Sequence, residues 1–208
     1  MFTGIIQAKG NIKEIRISNK GAVFALNSNS LELSDVSIGD SIAVNGVCLT
    51  ITQLDKNSFS ADVSQETLNC TTFSQLRKGQ NINLEKSLRL DQGIDGHLVS
   101  GHVDGVGEVV SLQKEGESTR LKIKVKNDLS KYIAKKGSIC INGVSLTVNS
   151  VEADIFDVNI VPHTLSVTTL GELIENSRVN IEIDIIARHI EHLISHKSTT
   201  GIDITTPK

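Results

Sequence analysis

Apolar and polar residues alternate over short runs through most of the chain. Ser41-Ile42-Ala43-Val44, Leu49-Thr50-Ile51-Thr52 and Phe59-Ser60-Ala61-Asp62-Val63 are β-branched or alternating, and Asn-Gly or Asp-Lys-Asn turn chemistry separates them. That pattern predicts three strands joined by tight turns. Ser138-Ile139-Cys140-Ile141, Leu146-Thr147-Val148 and Phe156-Asp157-Val158-Asn159-Ile160 repeat it further along. One stretch has a different period: Ile186, Ile190, Leu193 and Ile194 fall at helical spacing, which predicts an amphipathic helix near the C-terminus.

The two sets of strands belong to an internal repeat. Asn45-Gly46-Val47-Cys48-Leu49-Thr50 recurs as Asn142-Gly143-Val144-Ser145-Leu146-Thr147, an offset of 97 residues. The same offset carries Gly4 onto Gly101, Gly10 onto Gly107, Phe59 onto Phe156, Thr67-Leu68 onto Thr164-Leu165 and Glu85 onto Glu182 without a gap. Solenoid repeats run to roughly 20 to 50 residues, so each copy is a small domain rather than one turn of a stack. Several short strands per copy predict an all-β closed barrel or sandwich. Glycines and acids interrupt the pattern at Gly93-Ile94-Asp95-Gly96-His97, which sets the expected division at 1–97, 98–185 and a helical tail 186–208. The tail has no counterpart in the first copy. It either packs back on its own barrel or joins other subunits.

Composition narrows the partners. A net charge of -3 without a basic block argues against a nucleic-acid backbone, and an aromatic content of 3% argues against a base-stacking platform. No apolar run approaches the roughly 20 residues that span a bilayer, so no membrane partner is expected. Cys48, Cys70 and Cys140 form no C-x-x-C pair, and Met1-Phe2-Thr3-Gly4-Ile5-Ile6 lacks the features of a secretory signal, so a cytoplasmic protein that binds a small molecule is expected. His189, His192 and His196 share a helical face, which an exposed face or subunit contact explains more simply than a metal.

Met1-Phe2-Thr3-Gly4-Ile5-Ile6, the two Asn-Gly-Val-(Cys/Ser)-Leu-Thr boxes, Gly96-His97-Leu98-Val99-Ser100-Gly101-His102-Val103 and Val179-Asn180-Ile181-Glu182-Ile183-Asp184 together resemble the riboflavin synthase family over almost the whole chain. The resemblance implies two six-stranded antiparallel Greek-key barrels plus a C-terminal α-helix that holds a homotrimer together. It implies no metal, no cofactor, and lumazine synthase as a candidate protein partner. The implied reaction, the last step of riboflavin biosynthesis, is a four-carbon transfer between two molecules of 6,7-dimethyl-8-ribityllumazine, giving riboflavin and 5-amino-6-ribitylaminouracil. The implied active site lies where the N-terminal barrel of one subunit faces the C-terminal barrel of a neighbour. Ligand contacts carry over to Gly4, Ile5 and Ile6; Cys48, Leu49 and Thr50; Asp62, Val63, Ser64, Gln65, Glu66 and Thr67; and Gly101, His102 and Val103. They carry over equally to Lys136, to Ser145, Leu146 and Thr147, and to Asn159, Ile160, Val161, Pro162, His163 and Thr164.

Identical pockets cannot make one ligand a donor and the other an acceptor, so the differences between copies locate the chemistry. The offset opposes Ile5 to His102, Cys48 to Ser145, Glu66 to His163 and Ser87 to Asp184. His102 is the expected base for an acidic ring methyl, or else a residue that only hydrogen-bonds the ring. Ser145 and Thr147, two apart on a strand, share a face and a ligand. Cys48 is either a thiol acting on the acceptor ring or a small apolar filler. Asp184 either stabilises developing charge or caps the tail helix. Glu66 and His163 start short helical turns, and Lys136 faces Gly39 in the other copy. The alternative to catalysis is a non-catalytic antenna protein that holds a lumazine or flavin.

Overall fold

The computed structural model of the chain describes residues 1–200, except for the side chains of Asn127 and of residues 196–200. The first copy folds into β1 (Ala8–Ser18), β2 (Gly21–Asn27), β3 (Ser41–Val44), β4 (Val47–Leu54), β5 (Ser58–Ser64) and β6 (Asn81–Lys86). The second gives β7 (Gly105–Glu115), β8 (Ser118–Lys124), β9 (Ser138–Ile141), β10 (Val144–Glu152), β11 (Ile155–Ile160) and β12 (Arg178–Ile183). Each set closes into a barrel of antiparallel strands, β1-β2-β5-β4-β3-β6 and, in the same circular order, β7-β8-β11-β10-β9-β12. Pairing of β2 with β5 and of β3 with β6 makes each a Greek key, and closure removes the exposed strand edges of an open sheet. Short helices α1 (Gln65–Cys70) and α3 (Pro162–Val167) follow β5 and β11, α2 (Asn127–Ser130) follows β8, and α4 (Ile185–Thr200) is the tail helix. The remainder of the tail lies outside the described residues.

Alternation decides which side chains fill each barrel. Val47, Leu49 and Ile51 of β4 point into the first core with Phe24, Phe59 and Phe73, leaving Cys48, Thr50 and Thr52 on the outer face. Val144, Leu146 and Val148 do the same in β10, leaving Ser145 and Thr147 outside. The duplication extends to irregularities: register slips between Ile12 and Glu14 and between Ile51 and Gln53 recur between Val109 and Ser111 and between Val148 and Ser150. These bulges bend the strands round their barrels.

The barrels meet back to back through their Asn-Gly turns. Asn45 and Asn142 take φ of 45° and 47°, and the glycines after them 78° and 83°, the left-handed pair a two-residue hairpin turn requires. A Cβ on Gly46 would lie 2.7 Å from the Gly143 amide nitrogen, so only glycine permits the contact. Two buried asparagines clasp the turns. Asn83 Nδ2 donates to the Asn142 carbonyl at 2.8 Å while its Oδ1 accepts from the Thr169 amide at 2.7 Å, and Asn180 repeats this with the Asn45 carbonyl and the Thr72 amide at 2.8 Å each.

The segment ahead of each barrel is then exchanged. Phe2 and Val99 form a two-way bridge, with Phe2 N donating to Val99 O at 2.7 Å and Val99 N returning at 3.0 Å. Beyond it, the Gly4 carbonyl accepts from Ser145 N at 2.8 Å on the second barrel, and the Gly101 carbonyl accepts from Cys48 N at 2.9 Å on the first. Ile6 packs on the second core and Val103 on the first. Buried carboxylates hold the crossing: Glu85 accepts from Thr3 N and Gly4 N at 2.7 and 3.1 Å, and Glu182 from Ser100 N and Gly101 N at 2.7 and 3.0 Å. The six strands of each barrel come from one half of the chain, β6 ending at Lys86 and β7 beginning at Gly105, yet each barrel's outer face is finished by the leading segment of the other half.

Candidate functional site

Each barrel has a seam where two strands part. Pairing of β4 with β5 ends at Ile51 and Ala61, while β4 continues along β3 to Val47 and β5 along β2 to Ser64. In the second barrel β10 and β11 separate beyond Val148 and Val158, though β11 follows β8 to Ile160. The outer residues on the parted strands are Cys48, Thr50, Asp62 and Ser64 in the first barrel and Ser145, Thr147 and Asn159 in the second. Such a seam leaves strand backbone available to a flat, polar-edged ring, with the exchanged segment as the floor.

Almost every residue expected to touch ligand lies along one of the seams. The first gathers Cys48 to Thr50, Asp62 to Thr67 and, from the other half of the chain, Gly101, His102 and Val103. The second gathers Ser145 to Thr147, Asn159 to Thr164 and, again by exchange, Gly4, Ile5 and Ile6. His102 therefore belongs with Cys48 and Thr50, not with the Ser145 and Thr147 of its own copy. Leu49, Val63 and Ile160 spend their side chains on the barrel cores and offer only backbone. Ser64 caps α1, accepting from Thr67 N at 3.1 Å, and Pro162 opens α3, so Glu66 and His163 do sit on short helical turns.

Lys136 ends beside the second seam, its amide donating to the Val148 carbonyl at 2.8 Å. Its φ is 67°, at the position where the first barrel places Gly39 with φ of 96°. A lysine held in a left-handed conformation that its twin gives to glycine is strain kept at a seam.

Three groups near the seams are not among the expected site residues. His97 Nδ1 lies 2.7 Å from Ser145 Oγ, and burial pushes its pKa below the ordinary histidine value, with the Asp184 charge opposing. It lies on the link ahead of β7, outside the boxes that the two copies share. Asp104 accepts from Ile183 N at 2.8 Å and pairs with Arg188 at 2.6 Å; burial pushes its carboxyl up, while that amide, Arg188 and the nearby His102 oppose. Its twin is Gln7, which accepts from Lys86 N at 3.0 Å, so the structural bond was kept and a charge was added. Glu85, matched to Glu182 by the offset, is pushed up by burial against its backbone donors. Asp184 accepts from Ile186 N at 3.0 Å and so caps α4. Among the described residues no cluster of three or more His, Cys, Asp or Glu side chains is placed to hold a metal ion, and the His196 side chain lies outside them.

Two like barrels, each with an outer seam floored by its sibling's leading segment, define a duplicated small-molecule-binding barrel protein. Residues 3–87 and 100–184 each match the family model described as Lumazine binding domain. The chain belongs to the lumazine-binding family of riboflavin synthases. It is 47% identical over 194 residues to a Riboflavin synthase of Photobacterium leiognathi, spanning 93% of this chain and 89% of that one, and 38% identical over 198 residues to that of Bacillus subtilis (strain 168), spanning 95% and 91%. A solved structure of LumP complexed with 6,7-dimethyl-8-(1'-D-ribityl) lumazine superimposes with a TM-score of 0.78 at 28% identity, covering 88% of this chain and 98% of that one.

Proposed function

We propose that the chain is a transferase that dismutates two molecules of 6,7-dimethyl-8-ribityllumazine into riboflavin and 5-amino-6-ribitylaminouracil. The observation that carries this is a pair of matched seams, each with a threonine at the same place (Thr50 and Thr147), but with unmatched chemistry beside it: His102 and Cys48 on one, Ser145 and Lys136 on the other. Matched seams take two copies of one ligand, and unmatched side chains give them different fates. One lumazine surrenders a four-carbon unit, its two ring carbons with their methyls, and is left as the diamino-pyrimidine. The other receives those carbons as a new ring. Both products are made entirely of atoms the two substrates bring, with no external oxidant or reductant.

In this reading His102 takes the proton from an acidic ring methyl, and an imidazole is suited to that near neutrality. Ser145 and Thr147 orient the facing ring, Lys136 fixes its polar edge, Cys48 addresses the acceptor ring, and Asp184 adds negative charge beside the second seam. The two lumazines face each other across a subunit boundary, first barrel of one copy against second barrel of the next. Ile5 and Val161, 45% and 54% exposed beside the second seam, are the apolar surface such a neighbour would cover. Three copies associate through α4, whose Ile186, Ile190, Leu193 and Ile194 are exposed although Glu191 ties the helix to Lys131 and Tyr132 of its own barrel. The trimer works in the cytoplasm, where lumazine synthase is its candidate partner.

Incubation of the pure protein with the lumazine alone is the direct test. Growth of flavin absorbance, with the aminopyrimidine in equal amount, is the expected result. Bound lumazine that fluoresces unchanged would overturn catalysis in favour of a holding protein.

A further inference from the structure

We propose that the cleft at the junction of the barrels, lined by both Asn-Gly turns, binds a small oxyanion of the phosphate class, free or as the head of a phosphate monoester. The cleft holds about 270 Å3 and shares no residue with either seam, so the inference is independent of the reaction. Residues related by the 97-residue offset line it in pairs: Asn45 and Asn142, Thr72 and Thr169, Asn81 and Arg178. The two turns leave donors unused. Asn45 accepts from Asn83 N, and Asn142 from Asn180 N, both at 2.8 Å. A backbone amide only donates, so the atom it meets must be Oδ1, and each asparagine turns its Nδ2 away from that strand. Neither Nδ2 has a partner among the described residues. Aspartate would accept from the same amide and tolerates the same left-handed backbone, so what asparagine adds at both turns is a donor.

A third group lacks a partner. Thr169 is only 7% exposed, and its hydroxyl is buried with no hydrogen bond among the described residues. A buried hydroxyl in that state is unfavourable until a ligand supplies the bond. Charge decides which ligand. Arg178 makes no ion pair or side-chain hydrogen bond among the described residues. The carboxylate that lines the cleft, Glu172, is already engaged: its Oε1 accepts from Asn81 Nδ2 at 2.9 Å and lies 3.7 Å from Lys9 Nζ. The lining therefore offers two amide donors, a hydroxyl and a guanidinium, which suit oxygens carrying negative charge and repel a cation. A cleft of this size leaves room beside a phosphate group for the carbons of a small ester. Because the donors come from both halves of the chain, a bound anion would also hold the barrels together and raise the melting temperature.

The test is calorimetric titration of the full chain with inorganic phosphate and with glycerol phosphate, at constant ionic strength in chloride. One saturable site per chain is expected, and tighter binding of the ester would show that its carbons are seated as well. Arg178→Gln should weaken binding by about tenfold or more, the loss of one charge-assisted hydrogen bond. Asn142→Asp keeps the turn and the accepted amide but replaces a donor with negative charge, and should abolish binding. Thr169→Val, equal in shape but without the hydroxyl, should weaken it severalfold. Lys56→Gln removes an exposed lysine outside the cleft and should change nothing. In heating curves, phosphate should raise the melting temperature of the wild type and not that of Arg178→Gln, whose exposed side chain can be exchanged without disturbing a core. No saturable binding of either anion to the wild type, or equal affinity in Arg178→Gln, would overturn the proposal. So would a rise in melting temperature that Arg178→Gln shares in full, since exclusion of the salt from the protein surface would then account for it.

Discussion

Single residues carry the asymmetry that the duplication alone cannot supply, and Lys136 is the plainest case. Its left-handed backbone costs about 1 kcal/mol that the Gly39 twin does not pay. Lys136→Gly should therefore raise stability by up to about 1 kcal/mol while weakening lumazine binding by about tenfold, the loss of one charge-assisted hydrogen bond. Denaturant melts and a fluorescence titration read the two effects separately; a less stable variant, or one with unchanged affinity, would show that the strain has no such purpose. His97 makes a prediction in pH. Because burial lowers its folded-state pKa below the unfolded value of 6.5, the unfolded chain takes up a proton first as the solution is acidified. Stability from this group is intact above that value and is lost as pH falls below it toward the folded pKa. The melting temperature of the wild type should accordingly drop relative to that of His97→Asn between about pH 7.5 and about pH 5.5, and a constant difference would refute it.

At the level of strands and turns, the clasp between barrels is the most exposed to a single change. Asn83 is fully buried, and Asn83→Ala would strip partners from the Thr169 amide and the Asn142 carbonyl at once. Leaving two buried backbone groups unpaired should cost about 3 kcal/mol, read from the urea midpoint; a loss under about 1 kcal/mol would mean that the clasp is dispensable. The same level shows how much of the molecule was legible beforehand. β3 and β9 fall on the predicted residues, and β4, β5, β10 and β11 extend the predicted runs by a few residues, because alternation and Asn-Gly turns are local signals. Apolar spacing likewise gave α4. The exchanged segments were not legible. Gly4 and Gly101 look alike in sequence, and nothing local says that each docks on the opposite barrel, since the partners that decide it, Glu85, Glu182, Ser145 and Cys48, are distant in the chain. The offset therefore set His102 with the second copy, where its strand-mates are, while the crossing delivers it to the first seam. His97 was not legible for a different reason: it lies on the link between the barrels, outside the boxes that the two copies share.

For the whole molecule, the division of labour between seams can be tested by mixing inactive subunits. If a working site joins the first seam of one copy to the second seam of a neighbour, His102→Gln damages only the first half of each site and Ser145→Ala only the second. A mixed assembly then contains boundaries at which an intact first seam, from a Ser145→Ala subunit, faces an intact second seam, from a His102→Gln subunit. Refolding the two variants together should restore a substantial fraction of wild-type flavin formation, although each alone is impaired, and refolding either by itself should restore none. A site contained within one chain predicts the opposite, because every chain in the mixture still carries one damaged seam. The helix α4 supplies the control. If the chain assembles as the proposed trimer, substituting Ile190 and Leu193 with glutamate, which removes apolar surface exposed at 51% and 62%, should leave the barrels folded while giving monomers in analytical ultracentrifugation. Loss of rescue together with loss of the trimer would tie activity to the boundary between subunits. Rescue that persisted among monomers, or its absence among intact mixed trimers, would return both ligands to a single chain.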